Sequence, residues 1–433
     1  MNILVIGNGF DLAHGLPTRY TDFLEFCKRV MAIFNVAKTL NGKEFKHQYL
    51  DNWETKDEIK QHIKFSQYCI GVQNNESQYL SENSYFCELK ETILNNIWIE
   101  YFLQCNMYHK ENWIDFENEI MEVIKSINND MRLSMLEADI YIISNKFLKN
   151  KIRSLHKKIT YRELRDRLVN DLNMLIRAIE LYLTYYVEEI DIKVISPDVE
   201  SIAVLSYQDM GIAKYGFNRV ISFNYTNTYQ TKYLKPYRNT DEFIDYIHGK
   251  ADLNNTIESS NLVHGINEYL PDDRKDKDVD FIAFKKFYQR IYKQTGCKYK
   301  EWIDKIIQEN SQYREEVRQC KLDYEKNRGL GDEGAQTKRE LKRLRENPPV
   351  HNLYIFGHSL DVTDKDILKE LIMNDYVHTT IFYLNKDVMG QQIANLVKVI
   401  GQDELIKRTG AKIIEFKQQQ DMVPIQSDST VDQ

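Results

Sequence analysis

Five short polar segments carry the side chains that could do chemistry, and each lies at the end of an apolar run. The first is Gly7-Asn8-Gly9-Phe10-Asp11, followed by Gly15-Leu16-Pro17-Thr18. Glycines at a strand-to-helix turn let the backbone approach a pyrophosphate, and the helix N-terminus adds amide donors and a favourable dipole. Asp11 could equally cap that helix. The second is Ser222-Phe223-Asn224-Tyr225-Thr226-Asn227, in which Asn224 stands just past a strand, where ligands bind in open α/β sheets. An Asx-turn would use the same residue. The third, His248-Gly249, offers a general base that titrates near neutral pH, although a lone histidine is more often a satisfied structural residue. His264-Gly265 repeats the pattern less convincingly. The fourth is Gly357-His358-Ser359-Leu360-Asp361, with Thr363-Asp364 behind it. Its amides and hydroxyl could meet phosphate or ribose, while Asp361 and Asp364 also suit helix caps. Asn385, after the run Thr380 to Leu384, is placed in the same way.

The elements that must position these residues are short strands and long helices. Apolar runs at 3–6, 219–223, 243–247, 352–356 and 380–384 are each four or five residues long and end in a polar or glycine turn. That is the habit of buried parallel strands, and 413–416 adds a last one. No proline occurs between Pro17 and Pro197, and no glycine between Gly71 and Gly211, so helices are expected there. Leu164, Leu168, Leu172, Leu175, Ile176, Ile179 and Leu183 keep the spacing of one helical face. Trp113 to Ile120 fits another helix, with Asp115 or Asn112 near its start. The expected fold is therefore α/β: a Rossmann-like, mostly parallel sheet with a large α-helical insertion. We divide the chain into the first strand and nucleotide-binding turn (1–30), the helical insertion (31–195) and a continuation of the core (196–269). A charged helical or loop insertion (270–347), the completion of the core (348–416) and a disordered tail (417–433) follow.

Composition limits what such a fold could serve. The chain has 433 residues, 42% hydrophobic and 28% charged, with a net charge of −7. A negative surface argues against non-specific binding along nucleic acid or an anionic membrane. No apolar run approaches the roughly 20 residues a membrane span needs. The start, Met-Asn-Ile-Leu-Val-Ile-Gly, lacks a basic n-region and a cleavage site, so a cytoplasmic protein is expected. The six cysteines are scattered, with no C-x-x-C pair, and neither a metal site nor a disulfide framework is expected.

In this order the segments resemble the bacteriophage abortive infection AbiH family. The residues that carry the resemblance are Gly-Asn-Gly-Phe-Asp at 7–11, Gly-Leu-Pro-Thr-x-Tyr at 15–20, Asn-Trp-x-Asp-Phe-Glu at 112–117, Phe-Asn-Tyr-Thr at 223–226, Ile-His-Gly at 247–249 and Phe-Gly-His-Ser-Leu-Asp at 356–361. It spans about residues 1–400, apart from the 270–347 insertion. The same order is also similar to the NAD-binding core of sirtuins, and bacterial sirtuin-like defence proteins with that core cleave NAD. Carried over, Asn224 matches the asparagine that orders the nicotinamide ribose and a water, and His248 the catalytic base. Gly7, Gly9, Gly357 and Ser359 match phosphate or ribose contacts, with Asn8, Phe10, Asp11 and His358 in the same turns. Asn385 matches an adenosine-ribose contact. The chain departs from that pattern at Tyr225-Thr226, where sirtuins have Ile-Asp, and at Asn8 and Phe10-Asp11, which replace Ala and Ile-Ser. The four-cysteine zinc module of the deacylases is missing.

The resemblances imply an antiviral protein that binds NAD or a related nucleotide and hydrolyses it to ADP-ribose and nicotinamide. That reaction develops an oxocarbenium-like ribose, which a positioned base and amide can serve without metal. The alternative is a non-enzymatic nucleotide-sensing or scaffolding module that recognises a phage component or a partner defence protein. Homo-oligomerisation stays open. Because each candidate follows a strand, Gly7–Asp11, Asn224, His248 and Ser359 are expected to line one cleft at the carboxyl edge of the sheet.

Overall fold

The computed structural model describes residues 1–36, 84–104, 115–133, 143–154, 159–208, 219–234, 241–271, 273–275 and 277–425. Strand β1 (Asn2–Ile6) is buried from its second residue onward and turns into α1 (Asn8–Ala13), then α2 (Tyr20–Val36). The helical block continues with α3 (Ser84–Ile93), α4 (Ile97–Gln104), α5 (Phe116–Leu133), α6 (Lys146–Ser154) and α7 (Tyr161–Tyr182). The leucine row at 164, 168, 172 and 175 is buried on α7, as its spacing requires. Thr160 opens that helix with a capping box: its hydroxyl accepts from the Glu163 amide at 3.2 Å, and its amide donates to the Glu163 carboxylate at 2.7 Å. At α5 the Asp115 carboxylate accepts from the Asn118 amide at 3.0 Å, so Asp115 makes the helix start. Asn112 and Trp113 lie outside the described residues.

The chain then returns to the sheet through β2 (Val194–Ile195), α8 (Pro197–Gln208), β3 (Arg219–Ser222), α9 (Thr228–Tyr233) and β4 (Ile244–Tyr246). After a long loop come α10 (Lys286–Lys293) and an antiparallel hairpin of α11 (Lys298–Asn327) and α12 (Gly331–Glu346). The end of the fold is β5 (His351–Phe356), α13 (Lys365–Ile372), β6 (Val377–Tyr383), α14 (Lys386–Ile400), α15 (Gln402–Gly410), β7 (Ile414–Gln418) and β8 (Val423–Pro424).

Six strands form one parallel sheet in the order β4-β3-β1-β5-β6-β7, and they are the six expected runs. The boundaries of β6 differ: it begins at Val377, paired with His351, and ends before Leu384, which is 57% exposed. Alternate residues serve two cores. Ile3, Val5, Ile221, Leu353, Ile355 and Ile381 face the helices α11, α13 and α14, while Leu4, Ile6, Val220 and Phe356 face Phe10, Val199 and Tyr229. A third core fills the helical block, and it also takes in Ala251, Leu262, Ile266, Phe281 and Phe284 from the loop after β4. That shared core carries the loop, and α10 behind it, to the sheet edge.

The segment from 417 was expected to be disordered, but up to residue 425 it is ordered. β7 runs on to Gln418, and β8 pairs antiparallel with β2. The cause is Asp198, fully buried at the start of α8, whose carboxylate accepts from the Gln420 amide at 2.7 Å, the Gln420 side chain at 2.9 Å and Lys417 Nζ at 3.1 Å. Among the described residues no helix is long and apolar enough to cross a membrane.

Candidate functional site

The direction of the sheet order reverses between β1 and β5, which run outward to opposite edges. In open α/β sheets the crevice outside that reversal is where ligands bind. Here the turns after the two strands press together. The Gly7 amide donates to Phe356 O at 3.2 Å and the Gly9 amide to Gly357 O at 2.7 Å. A Cβ on Gly9 would lie 2.8 Å from Gly357 Cα, and one on Gly357, whose φ is +67°, only 2.2 Å from the Phe10 nitrogen. These glycines therefore let two backbones touch. Phe10 is fully buried against His14, Tyr229, Tyr233 and Phe356. Asn8 is exposed and accepts a 2.6 Å hydrogen bond from Thr18, which ties the Gly-Leu-Pro-Thr segment to the glycine turn.

Behind this contact, the turns after β1 and β3 meet. Asp11 is buried, and its Oδ2 accepts from the Thr226 hydroxyl at 2.7 Å, with Thr228 donating to Thr226 at 3.2 Å. Burial pushes the Asp11 carboxyl up to about 6, against the opposing contacts of Thr226, Thr228 and Asn224. Its second oxygen and the buried Nδ2 of Asn224 have no well-aligned hydrogen bond, yet the Asn224 amide is close enough to lower the carboxyl. Each is the other's nearest complement, so a ligand hydroxyl would have to come between them.

The turns after β4 and β5 bring two histidines onto one carboxylate. His248 Nε2 lies 3.5 Å from Asp364 Oδ1, and His358 Nε2 lies 3.6 Å from Asp364 Oδ2. The Phe223 ring meets both imidazoles edge-on, at centroid distances of 5.5 and 4.4 Å. Lys286, from the start of α10, reaches Asp364 Oδ1 at 3.3 Å and Glu117 Oε2, from α5, at 2.8 Å. Its backbone is fixed by its amide donating to Ile266 O at 2.9 Å. Burial alone would raise the Asp364 carboxyl, but Lys286 and the two histidines hold it well below the usual range. The two carboxylates likewise keep buried Lys286 charged. Glu117 is pushed up to about 7 by burial, with Asp364 and Asp115 adding to the rise and Lys286 opposing it. Burial and Lys286 lower His248, against the pull of Asp364.

Of the other candidates, His264 borders this cluster, whereas Ser359 and Asn385 lie on the surface. His264 is buried edge-on against the stacked rings of Tyr20 and Phe116, and burial, Lys286 and His248 hold it down to about 3. Ser359 is exposed, and its carbonyl accepts from Asn395 at 3.0 Å. Asn385 is the N-cap of α14, accepting from the Val388 amide at 3.0 Å, and is exposed. Among the described residues no group of three or more His, Cys, Asp and Glu is arranged to hold a metal ion. A cavity of about 420 Å³, lined by Ser201, Tyr354, Thr380 and Phe382 among others, shares no residue with the histidine cluster.

Sequence reasoning missed Lys286 and passed over Glu117 and Asp364 as site residues. Glu117 had a signal, as the last residue of Asn-Trp-x-Asp-Phe-Glu, and Asp364 as the acidic residue closing the β5 turn. Lys286 had none, since it sits in a charged stretch next to Lys285. No curated protein matches the chain. Residues 3–384 match the family model described as bacteriophage abortive infection AbiH.

Proposed function

The chain belongs to the bacteriophage abortive infection AbiH family, and from that premise we propose that its sheet-edge site binds NAD or a related nucleotide and hydrolyses NAD to ADP-ribose and nicotinamide. The observation that carries the reading is the buried Asn224–Asp11 pair, whose amide and carboxylate oxygen lack a well-aligned hydrogen bond, with Asn224 on the strand next to that of His248. The strand order supports it: counted within the sheet it is 3-2-1-4-5-6, the order of Rossmann-like dinucleotide binders. Asn224 Nδ2 donates to a ribose hydroxyl, and the free oxygen of Asp11 accepts from one. As the ribose–nicotinamide bond breaks, its electron pair leaves on the ring nitrogen, so nicotinamide departs neutral. Water forms the new bond to the ribose carbon, and His248 takes the water's proton before passing it to solvent.

The test is incubation of the purified full chain with NAD, with and without phage lysate, followed by chromatography of the nucleotides. Nicotinamide release that His248→Ala lowers by about 10²–10⁴ supports the enzyme. Asn224→Ala should lose activity with weaker binding, and His264→Ala should stay active. NAD recovered intact under every condition replaces the enzyme with a nucleotide-sensing or scaffolding module. The burial of Asn224 and His248, at 5% and 8% exposure, favours the scaffolding form of that second reading, because any nucleotide must open the site to reach them.

A further inference from the structure

Two histidines share one aspartate, yet their hydrogen-bonding commitments differ. The Leu360 amide donates to His358 Nδ1 at 2.9 Å, so Nδ1 carries no proton and the neutral ring is protonated at Nε2, facing Asp364. Leu360 is held there with a φ of +59° and is fully buried, which makes this amide part of the turn itself. Both nitrogens of His358 are thus committed, and it serves as a fixed wall of the site. His248 also presents Nε2 to Asp364, but no hydrogen bond to its Nδ1 is found among the described residues. Asp364 is pinned by Lys286, which is anchored in turn by Glu117. A lysine-paired carboxylate only accepts hydrogen bonds, so the imidazole facing it must place its proton on that side.

We infer that Asp364 is a positioning residue for His248: it holds the Nε2–H tautomer and leaves Nδ1 as the atom that takes the proton, with Lys286 holding Asp364 in place. The inference deepens the NAD-hydrolysis reading and rests on it for the reaction, whereas the tautomer stands on the geometry alone. A spacing of 3.5 Å is long for a hydrogen bond, as catalytic contacts without substrate commonly are. The orientation of a base by a third group is a general device of acid–base sites, and losing it leaves the base present in the wrong tautomer.

The experiment is nitrogen-15 NMR of the histidine side chains in the full chain at a pH where His248 is neutral, with the signal assigned by its loss in His248→Gln. Wild type should show His248 protonated at Nε2, and Asp364→Asn should shift the balance toward Nδ1–H. Steady-state nicotinamide release by Asp364→Asn should fall at least tenfold in kcat, with KM within about twofold, and Asp364→Glu should recover part of the loss. A wild-type His248 protonated at Nδ1 overturns the inference. So does an Asp364→Asn protein that keeps both the Nε2–H tautomer and the wild-type kcat. If Asp364→Asn does not fold, the wild-type tautomer alone decides. If wild type releases no nicotinamide while its tautomer depends on Asp364, the positioning role stands and the NAD reading falls.

Discussion

Among the described residues two buried cations each bridge two carboxylates, and they are built differently. Arg177, 1% exposed on α7, grips Glu88 with both ends of its fork at 2.7 and 3.1 Å and Glu180 at 2.8 Å. Its remaining donors reach the carbonyls of Asp252 and Leu253 at 3.3 and 3.2 Å. Glu180 is saturated in turn by the Asp252 amide and the Asn255 side chain. Lys286 makes one tight contact at 2.8 Å and one loose contact at 3.3 Å. Its partner Asp364 is faced by two histidines at only 3.5 and 3.6 Å, and His264, whose buried Nε2 has no hydrogen bond, feels the Lys286 charge. A fully satisfied network rigidifies a core, whereas loosely held groups can change partners. The first network ties the loop after β4 to the helical block. The second gathers titratable side chains that are only loosely held.

The largest effect expected from this contrast is at Arg177. Arg177→Met leaves Glu180 buried without its cation and should cost about 3–5 kcal/mol in denaturant unfolding, the range for breaking a buried pair. Lys286→Met should cost clearly less, because Glu117, already at about 7, takes up a proton and Asp364 keeps two facing histidines. Equal losses would erase the distinction between the two networks.

The uncharged contact between the β1 and β5 turns comes next. Gly357→Ala meets both a left-handed φ and a backbone nitrogen at 2.2 Å, and should cost about 2–4 kcal/mol. Gly15→Ala has a φ of +81° but open space around it, and should cost only about 1 kcal/mol. Thermal melts of the pair separate conformational strain from the close approach of two chains.

A smaller effect appears against pH. The Glu117 carboxyl titrates at about 7 when folded and 4.5 when free, so the folded state holds its proton more tightly. Its contribution is fully present below pH 4.5 and is lost as pH rises through about 7. Asp11 acts in the same direction between 3.8 and about 6. Glu117→Gln should therefore flatten the fall in melting temperature between about pH 5 and 8. A wild-type-like slope in Glu117→Gln would place the proton elsewhere in the cluster. The smallest change is expected at Asn385, where Asn385→Ala removes a helix cap and should cost about 1 kcal/mol. Isothermal titration with NAD then tells whether the exposed cap also reaches a nucleotide.

The strands were legible because each is a short apolar run closed by a turn residue, and a parallel strand buried on both faces leaves that imprint in one stretch of sequence. Asn224 and His248 could be placed at strand ends for the same reason. The burial of Lys286 was not legible. It depends on Glu117, Ile266 and Asp364, which are remote in sequence, and on a core shared between the helical block and the loop after β4. The segment around Gln420 misled in the same way: its glutamines look like solvated chain until Asp198 is seen to hold them. Local composition records what a segment would do alone, and both errors fall where a distant charge decides.

The placement of β1 also bears on how the protein is made. Its two neighbours in the sheet arrive late, since Ile3 pairs with Arg219 and Asn2 with Asn352. At ribosomal speeds of about 5–20 residues per second, the stretch between Asn2 and Asn352 takes roughly 20–70 s to emerge. For that time the central strand of the sheet has at most one of its partners, and Asp364 has not yet been translated. A nascent or prematurely terminated chain therefore cannot assemble the histidine cluster, so whatever the site does to a cell is withheld until synthesis is nearly complete.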